Sequence, residues 1–140
     1  MASFNKFNSF VEALAEGAHN LGSDTLKVLL TNTAPTASDT VKADLTEITA
    51  GNGYTAGGNT ASVTSSAQTS GTYKLVLGDP TTWTASGGSI ASFRYAVLYN
   101  DTATNDELIG WWDYGSSVTL ADGESFAVDF DATTGVLTLS

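Results

Sequence analysis

The sequence has no cysteine, one histidine, two prolines and only five basic residues among its 140 positions. The lack of cysteine excludes disulfide bonds, thiolate catalysis and cysteine-ligated metals. Fifteen acidic residues give a net charge of −10, which disfavours binding to nucleic acid and to anionic membranes. No apolar stretch is long enough for a membrane-spanning helix or a signal peptide. We therefore expect a protein made and folded in the cytosol.

The residues that are abundant point to a β-protein. Thr, Ser, Gly and Ala are frequent, and charged residues make up only 14% of the chain, as is typical of short strands joined by turns. A chain of this length forms one hydrophobic core. We predict one compact unit, with an N-terminal arm and helix over residues 1–24 and an antiparallel β-sandwich over residues 25–140.

The one convincing helical pattern is SFVEALAEGAHNLG, residues 9–22. Ser9 and Glu12 have the spacing of a capping box, and Gly22 is a suitable C-terminal stop. Apolar residues recur at steps of three and four, which predicts a single apolar stripe: Val11, Leu14, Ala15, Ala18 and Leu21.

Phe4 and Phe7 continue this stripe toward the N-terminus. Either the helix begins near Ser3, or residues 1–8 form a separate arm. An apolar stripe requires burial, in its own domain or against a neighbouring molecule. Phe4, Phe7 and Val11 are therefore candidate interface residues.

From residue 25 onward, apolar and polar residues alternate in short segments separated by turn residues. This pattern predicts antiparallel strands of a sandwich or barrel. We expect hairpin connections at 100–106, 120–124 and 131–135. The predicted strands are 26–31, 60–66, 73–77, 81–85, 93–99, 107–114, 117–120, 124–130 and 135–139.

Residues 32–59 form a long polar excursion, and a segment of this length is a candidate contact region. It ends in the glycine-rich stretch GNGYTAGGN, residues 51–59. A phosphate-binding loop would need a following Lys-Ser/Thr pair and a helix, and neither is present. We interpret the stretch as tight turns, with Tyr54 reaching back to anchor the loop; Tyr54 is also a candidate interface residue.

No set of residues with catalytic or metal-binding spacing can be named. His19 lacks nearby partners for a triad or a metal site, and we place it in the last turn of the helix, where it would suit the helix dipole. In DFDATTG, residues 129–135, only Asp129 and Asp131 could bind calcium, and the bidentate glutamate is missing. A turn is favoured there over a weak cation site. No carboxylate pair stands out as glycosidase machinery. The sequence predicts no catalytic residue, metal or cofactor.

The most distinctive feature is the aromatic content of two neighbouring strands, FRYAVLY and ELIGWWDY. Simple alternation places Phe93, Tyr95, Val97 and Tyr99 on one face of the first strand, with Ala96 and Leu98 on the other. In the second strand it places Leu108, Gly110, Trp112 and Tyr114 opposite Ile109 and Trp111. Both faces are apolar, so one account buries the pair between the opposing sheet and the helix. The other account exposes an aromatic row, with Trp111 and Trp112 available to a partner protein or a sugar.

Five separated patches resemble a family of small structural proteins of tailed bacteriophages, often found beside the major capsid protein: LKVLLTNTAP, TEITAGNGYTAGG, WTASGGSI, RYAVLYND and LIGWWDYGSS. The resemblance covers roughly residues 25–140. It implies a capsid decoration or cement protein with a jelly-roll-like sandwich, assembled as homotrimers where capsomers meet. The implied partner is the major capsid protein, and the implied location is the capsid surface of the virion, after production in the host cytoplasm. The family supplies no catalytic residues, and the N-terminal helix departs from its more β-only members.

The sequence leaves three candidate functions to be tested. The first is the non-enzymatic capsid cement protein. The second is a tail or head-fibre adaptor that presents Trp111, Trp112 or residues 32–59 to a host glycan. The third is a hydrolase, which lacks any nameable set of nucleophile, base and orienting group.

Overall fold

A computed structural model describes residues 2–140, so Met1 lies outside the described part of the predicted arm. The chain is mainly β with antiparallel sheets and one α-helix, as the sequence predicted. A single 3-10 turn lies at Lys42–Asp44. The regular elements are β1 (Asn5–Lys6), α1 (Ser9–Ala15), β2 (Leu26–Thr31), β3 (Asn59–Ala61), β4 (Val63–Thr69), β5 (Thr72–Leu77), β6 (Trp83–Thr84), β7 (Ile90–Asn100), β8 (Leu108–Leu120), β9 (Ser125–Phe126) and β10 (Leu137–Leu139).

The strands form three sheets. The largest has five strands in the order β1-β8-β7-β2-β3, and a second has the order β10-β5-β4. The short strands β6 and β9 form the third. A jelly roll contains eight strands built from two Greek keys, and this strand order does not confirm that connectivity.

Alternation in β2 places a hydrophobic cluster on each face of the five-stranded sheet. Val28 and Leu30 face the larger cluster, which also contains Leu75 of β5 and Phe10 of α1. Leu29, between them in sequence, faces the smaller cluster. The smaller cluster consists of Phe7, Leu29, Val97, Tyr99 and Leu108.

The expectation that the helix covers the second face of the sheet is wrong. Phe10 of α1 packs into the larger cluster, on the same side as the three-stranded sheet. The second face is covered by Phe7 and by the excursion, from which Leu45 packs against the smaller cluster. The N-terminal arm is part of the same unit, because Asn5 and Lys6 pair with Trp111 and Gly110 of β8.

The helix is shorter than the predicted span of 9–22. It ends at Ala15 because Gly17 adopts a φ of +82°, and the amides of Gly17 and Ala18 bond the carbonyls of Leu14 and Ala13. This is the pattern of a Schellman motif, with Gly17 instead of Gly22 as the stop.

The predicted capping box is also wrong. The N-cap is Asn8, and no side chain caps the helix. His19 therefore lies four residues beyond the last helical residue and not in the last turn. The sequence spacing of Ser9 and Glu12 matched the motif, but the chain enters the helix through Asn8, whose amide bonds the Ala37 carbonyl.

The excursion is ordered because it pairs with β2. The amide of Ile48 bonds the carbonyl of Leu30, and Thr31 forms a β-bridge with Glu47. The Tyr54 hydroxyl accepts the Leu30 amide at 3.1 Å, so the predicted anchoring by Tyr54 is confirmed. Backbone bonds between Gly51 and Tyr54 close a tight turn, as predicted for the glycine-rich stretch. At Gly58 a Cβ atom would collide with the Val28 carbonyl, so this close approach requires glycine.

The predicted faces of the two aromatic strands are wrong in part. The register between β7 and β8 shifts between Phe93 and Tyr95 and again between Leu98 and Tyr99. Such irregularities break the simple alternation of a strand. Phe93 faces the larger cluster, whereas Val97 and Tyr99 face the smaller one; in β8, Leu108 faces the smaller cluster and Trp112 the larger.

Of the three predicted hairpin connections, only residues 100–106 join paired strands, β7 and β8. Residues 120–124 lead to β9, which pairs with β6, and residues 131–135 lead to β10, which pairs with β5. The segments predicted as 107–114 and 117–120 are one strand, β8. The turn between β4 and β5 at Ser70-Gly71, with φ values of +51° and +84°, was not predicted.

Candidate binding groove

An aromatic groove opens between β7, β8 and the chain that follows β9. Its volume is about 300 Å³, and Ala2 and Phe4 of the N-terminal arm form part of its lining. We call this site the aromatic groove after its lining rings: Phe4, Phe93, Tyr95, Trp112, Tyr114, Phe126 and Phe130.

Trp112 packs against two of these rings. Its ring centroid is 5.3 Å from that of Phe4 and 5.3 Å from that of Phe130. Gly110 makes room for the arm, because a Cβ atom there would overlap the Phe4 ring. The arm, β8 and the C-terminal segment are thus held together through one half-buried indole.

Phe126 links the groove to the core. Its ring meets Phe93 at 4.8 Å and Tyr114 at 5.4 Å, both edge to face, which is a favoured geometry for aromatic pairs. Phe93 is fully buried, while Tyr114 is 58% exposed. The groove therefore grades from core to solvent between Phe93 on β7 and Tyr114 on β8.

The C-terminal wall of the groove, residues 127–131, has no partner strand among residues 2–140. Phe126 pairs with Trp83, yet no backbone hydrogen bond within residues 2–140 involves Ala127, Val128 or Asp129. Phe130 is held by its amide, which donates to the Asp79 carboxylate at 2.7 Å. The sequence predicted a strand over 124–130, and only its first part has a partner strand.

The charges at the groove come from one ion pair and two further aspartates. Arg94 donates to Asp113 through Nε at 2.8 Å and through Nη2 at 3.0 Å. These bonds hold the pKa of Asp113 below its ordinary value. Asp131 accepts the amides of Thr134 and Thr133, which lower its pKa. Asp131 thus caps a turn, as predicted for 129–135.

Asp129 differs from the other two aspartates. Its side chain is exposed, and it has no hydrogen bond or ion pair to any residue from 2 to 140. The groove therefore presents one unengaged carboxylate beside its aromatic lining.

The predicted interface residues do not share one surface. Phe4 and Trp112 line the groove. The rings of Phe7 and Trp111 are 4.5 Å apart at the smaller cluster. Phe7 is fully buried, so it has no surface to offer a partner in this structure.

Tyr54 and Val11 have opposite environments. Tyr54 is buried, and its hydroxyl donates to Glu47 at 2.7 Å, so its role is within the fold. Val11 is 47% exposed on α1 and lies outside the groove.

The two neighbouring tryptophans of β8 were expected to lie either in the core or on the surface. Trp111 and Trp112 are instead both half-buried, in different places.

His19 is buried beside Phe10, with ring centroids 5.4 Å apart. Asn100 donates to its Nδ1 at 3.0 Å, and its Nε2 has no partner within the described chain.

Across residues 2–140 there is no group of three or more His, Asp or Glu side chains arranged to hold a metal ion. Over the same residues no helix has the length and apolarity to cross a bilayer.

Sequence reasoning missed the contribution of Phe126, Phe130 and Asp129 to this site. The signal was present in the alternation of residues 124–130, where Phe126, Val128 and Phe130 fall on one face. What the pattern did not reveal was that the second half of this strand would lack a neighbour.

No family model, curated protein or solved structure matches this chain.

Proposed function

We propose that this protein is a non-enzymatic structural component of a tailed-phage virion, which decorates the assembled capsid and stabilises it as a cement protein. Its partners are the major capsid protein and further copies of itself in a homotrimer, and its place is the capsid surface. The virion assignment is supported by the five sequence patches. The adhesive role is supported by one structural observation, the aromatic groove on a frame of antiparallel sheets.

The patches that carry the resemblance lie mainly in that frame. The Tyr54 hydroxyl bonds the Leu30 amide, and Ser86 donates its amide to the Asn52 carbonyl. Segments from three patches therefore contact one another directly. The groove wall from Ala127 to Asp131 lies outside every patch. Related proteins that bind different capsid shells are expected to share the residues of the frame and to differ in the residues of the contact surface.

A cement protein acts by mass action. Binding the assembled lattice more tightly than the free subunits stabilises the lattice. A trimer that touches several capsomers at once gains from effective concentration, so modest individual contacts give slow release. The net charge of −10 favours a basic surface on the shell, with binding that weakens as salt is added.

The test is sedimentation of the purified protein alone and with shells assembled from the major capsid protein. We expect a stable trimer, stoichiometric co-sedimentation with expanded shells, and a higher melting temperature of the decorated shell. A monomer that leaves both the pellet and the melting temperature unchanged contradicts the proposal.

The second candidate function is a tail or head-fibre module that binds a glycan. It is favoured by Tyr114, which is exposed next to Trp112 in the groove. Because Trp111 packs on Phe7, the informative variant is Trp112→Ala instead of Trp111→Ala. Glycan-array binding that this variant abolishes would favour the second function.

A further inference from the structure

Residues 127–130, which follow β9, have the burial pattern of a β-strand but no partner strand among residues 2–140. Val128 and Phe130 are half-buried against the larger cluster, while Ala127 and Asp129 are exposed. This alternation is that of a strand in a half-buried sheet. The amides and carbonyls of Ala127, Val128 and Asp129 make no backbone hydrogen bond within residues 2–140. Such an unpaired edge is a template for an added strand.

The aromatic groove runs beside this unpaired edge. Its volume of about 300 Å³ is at the small end of the range for binding pockets, which are mostly apolar with a few polar groups. It has room for a large apolar side chain flanked by Trp112, Tyr114 and Phe126. The edge offers main-chain bonds, and the groove beside it offers burial for a side chain.

We propose that the aromatic groove binds an extended segment of a partner polypeptide, which adds a strand along residues 127–129 and inserts one large apolar side chain between the rings. The inference deepens the proposed function and rests on it, because the polypeptide meant is the shell protein.

The charge at the edge specifies a second feature of the segment. Asp129 is exposed without an ion-pair partner among residues 2–140, and the whole chain carries −10. A Lys or Arg beside the apolar anchor would face this carboxylate. The bound segment is therefore extended, with a large apolar residue next to a basic one.

A saccharide fits the site less well. Sugar recognition needs free polar side chains directed at the ligand. Here Arg94 is bonded to Asp113, and Asp131 caps its own turn through the amides of Thr133 and Thr134. The unpaired polar groups along residues 127–129 are main-chain amides and carbonyls together with the Asp129 carboxylate, which suits a peptide.

The experiment uses the full chain and overlapping synthetic peptides that span the major capsid protein. Binding is followed by fluorescence anisotropy, and amide exchange by NMR. We expect peptides with the stated pattern to bind and to slow exchange at Ala127 and Asp129.

Three variants and a control locate the contact. Trp112→Ala should weaken peptide binding at least tenfold, as for a central aromatic anchor. Ala127→Pro removes one exposed amide donor and should weaken binding about tenfold while the chain stays folded. Asp129→Asn should weaken binding about threefold at low salt. Glu16→Gln makes the same change in net charge at an exposed site on another surface and should have no effect.

Several results would overturn the inference. Peptides could bind without slowing exchange at residues 127–129, or saccharides could bind in their place in a Trp112-dependent manner. Protection that rises with protein concentration in the absence of peptide would make a second copy the occupant. If the chain co-sediments with shells but no peptide binds, the groove inference fails and the cement function stands. If peptides bind as described and shells do not, the groove inference stands and the cement function fails.

Discussion

At the scale of single residues, Tyr54 joins the glycine-rich turn, the central strand and the excursion through one hydroxyl. This hydroxyl accepts the Leu30 amide at 3.1 Å and donates to Glu47 at 2.7 Å. Glu47 also accepts the amide of Gly57. Burial raises the pKa of Tyr54 above its ordinary value, so the hydroxyl stays protonated and keeps its role as a donor.

Tyr54→Phe should therefore lower the free energy of unfolding by about 1–3 kcal/mol, because it leaves a buried amide and a carboxylate without their partner. Urea denaturation measures the change. Tyr114→Phe is the matched control, since Tyr114 is exposed and its hydroxyl makes no hydrogen bond to residues 2–140. Equal stability of both variants would show that the Tyr54 hydroxyl contributes nothing.

His19 is held as a neutral ring by its neighbours. Asn100 donates to His19 Nδ1 and to Asp24, while its oxygen accepts the amides of Thr102 and Ala103. These contacts fix the orientation of the Asn100 side-chain amide. The neutral His19 ring therefore carries its proton on Nε2. Burial lowers the pKa of His19, against the opposing effect of Glu107 and Asp24.

Because the folded state binds this proton less readily than the unfolded chain, acidification should destabilise the protein. The loss of stability should be absent above about pH 7 and should begin as the pH falls below about 6.5, the pKa of histidine in the unfolded chain. It should continue down to the lowered pKa of His19 in the folded state. Urea denaturation between pH 8 and pH 5 measures it, and His19→Gln should remove most of the slope. The same slope in that variant would contradict the assignment. The carboxylates with lowered pKa, Asp44, Asp113 and Asp131, titrate at lower pH.

At the scale of elements, the helix shows how one glycine sets a boundary. Gly17 has φ +82°, and nothing lies within 4 Å of where its Cβ would be. Substitution there meets no steric clash with neighbours, so its cost comes from the backbone conformation alone.

Gly17→Ala should cost about 1 kcal/mol of unfolding free energy, because alanine pays the penalty of the left-handed region. Gly17→Asn should cost less, since asparagine adopts that region more readily. Thermal or urea denaturation of the two variants tests this, with Gly71→Ala at the β4–β5 turn as a second positive-φ site. If alanine were as stable as asparagine, the left-handed stop would not define the helix end.

The elements also show what sequence could and could not predict. Local alternation was sufficient for the strands after residue 25 and for the β7–β8 hairpin, because both depend on neighbouring residues, but it did not predict β1, which forms only by pairing with β8. Placing Phe93 on one face with Val97 and Tyr99, and Leu108 on one face with Trp112, was wrong because a bulge depends on the partner strand. The groove was missed for the same reason: whether residues 127–130 find a neighbour is decided by the distant strand β6, which begins only at Trp83, the partner of Phe126.

At the scale of the whole molecule, the acidic surface and the open groove predict adhesion that depends on salt. Shell binding should weaken as ionic strength rises, since exposed charges are screened within about 8 Å at physiological salt. Co-sedimentation across a salt series measures this dependence. Binding that is insensitive to salt would show that the acidic surface does not contribute to shell binding, and only the contact through the groove would stand.

The central claim is that this chain acts as a bound structural part of the virion shell. Cryo-electron microscopy of the intact particle at side-chain resolution tests it most directly. We predict trimeric density for this chain on the capsid surface where capsomers meet, with an extended segment of the capsid protein lying along residues 127–129. A particle whose capsid and tail are fully assigned without this chain would contradict the claim.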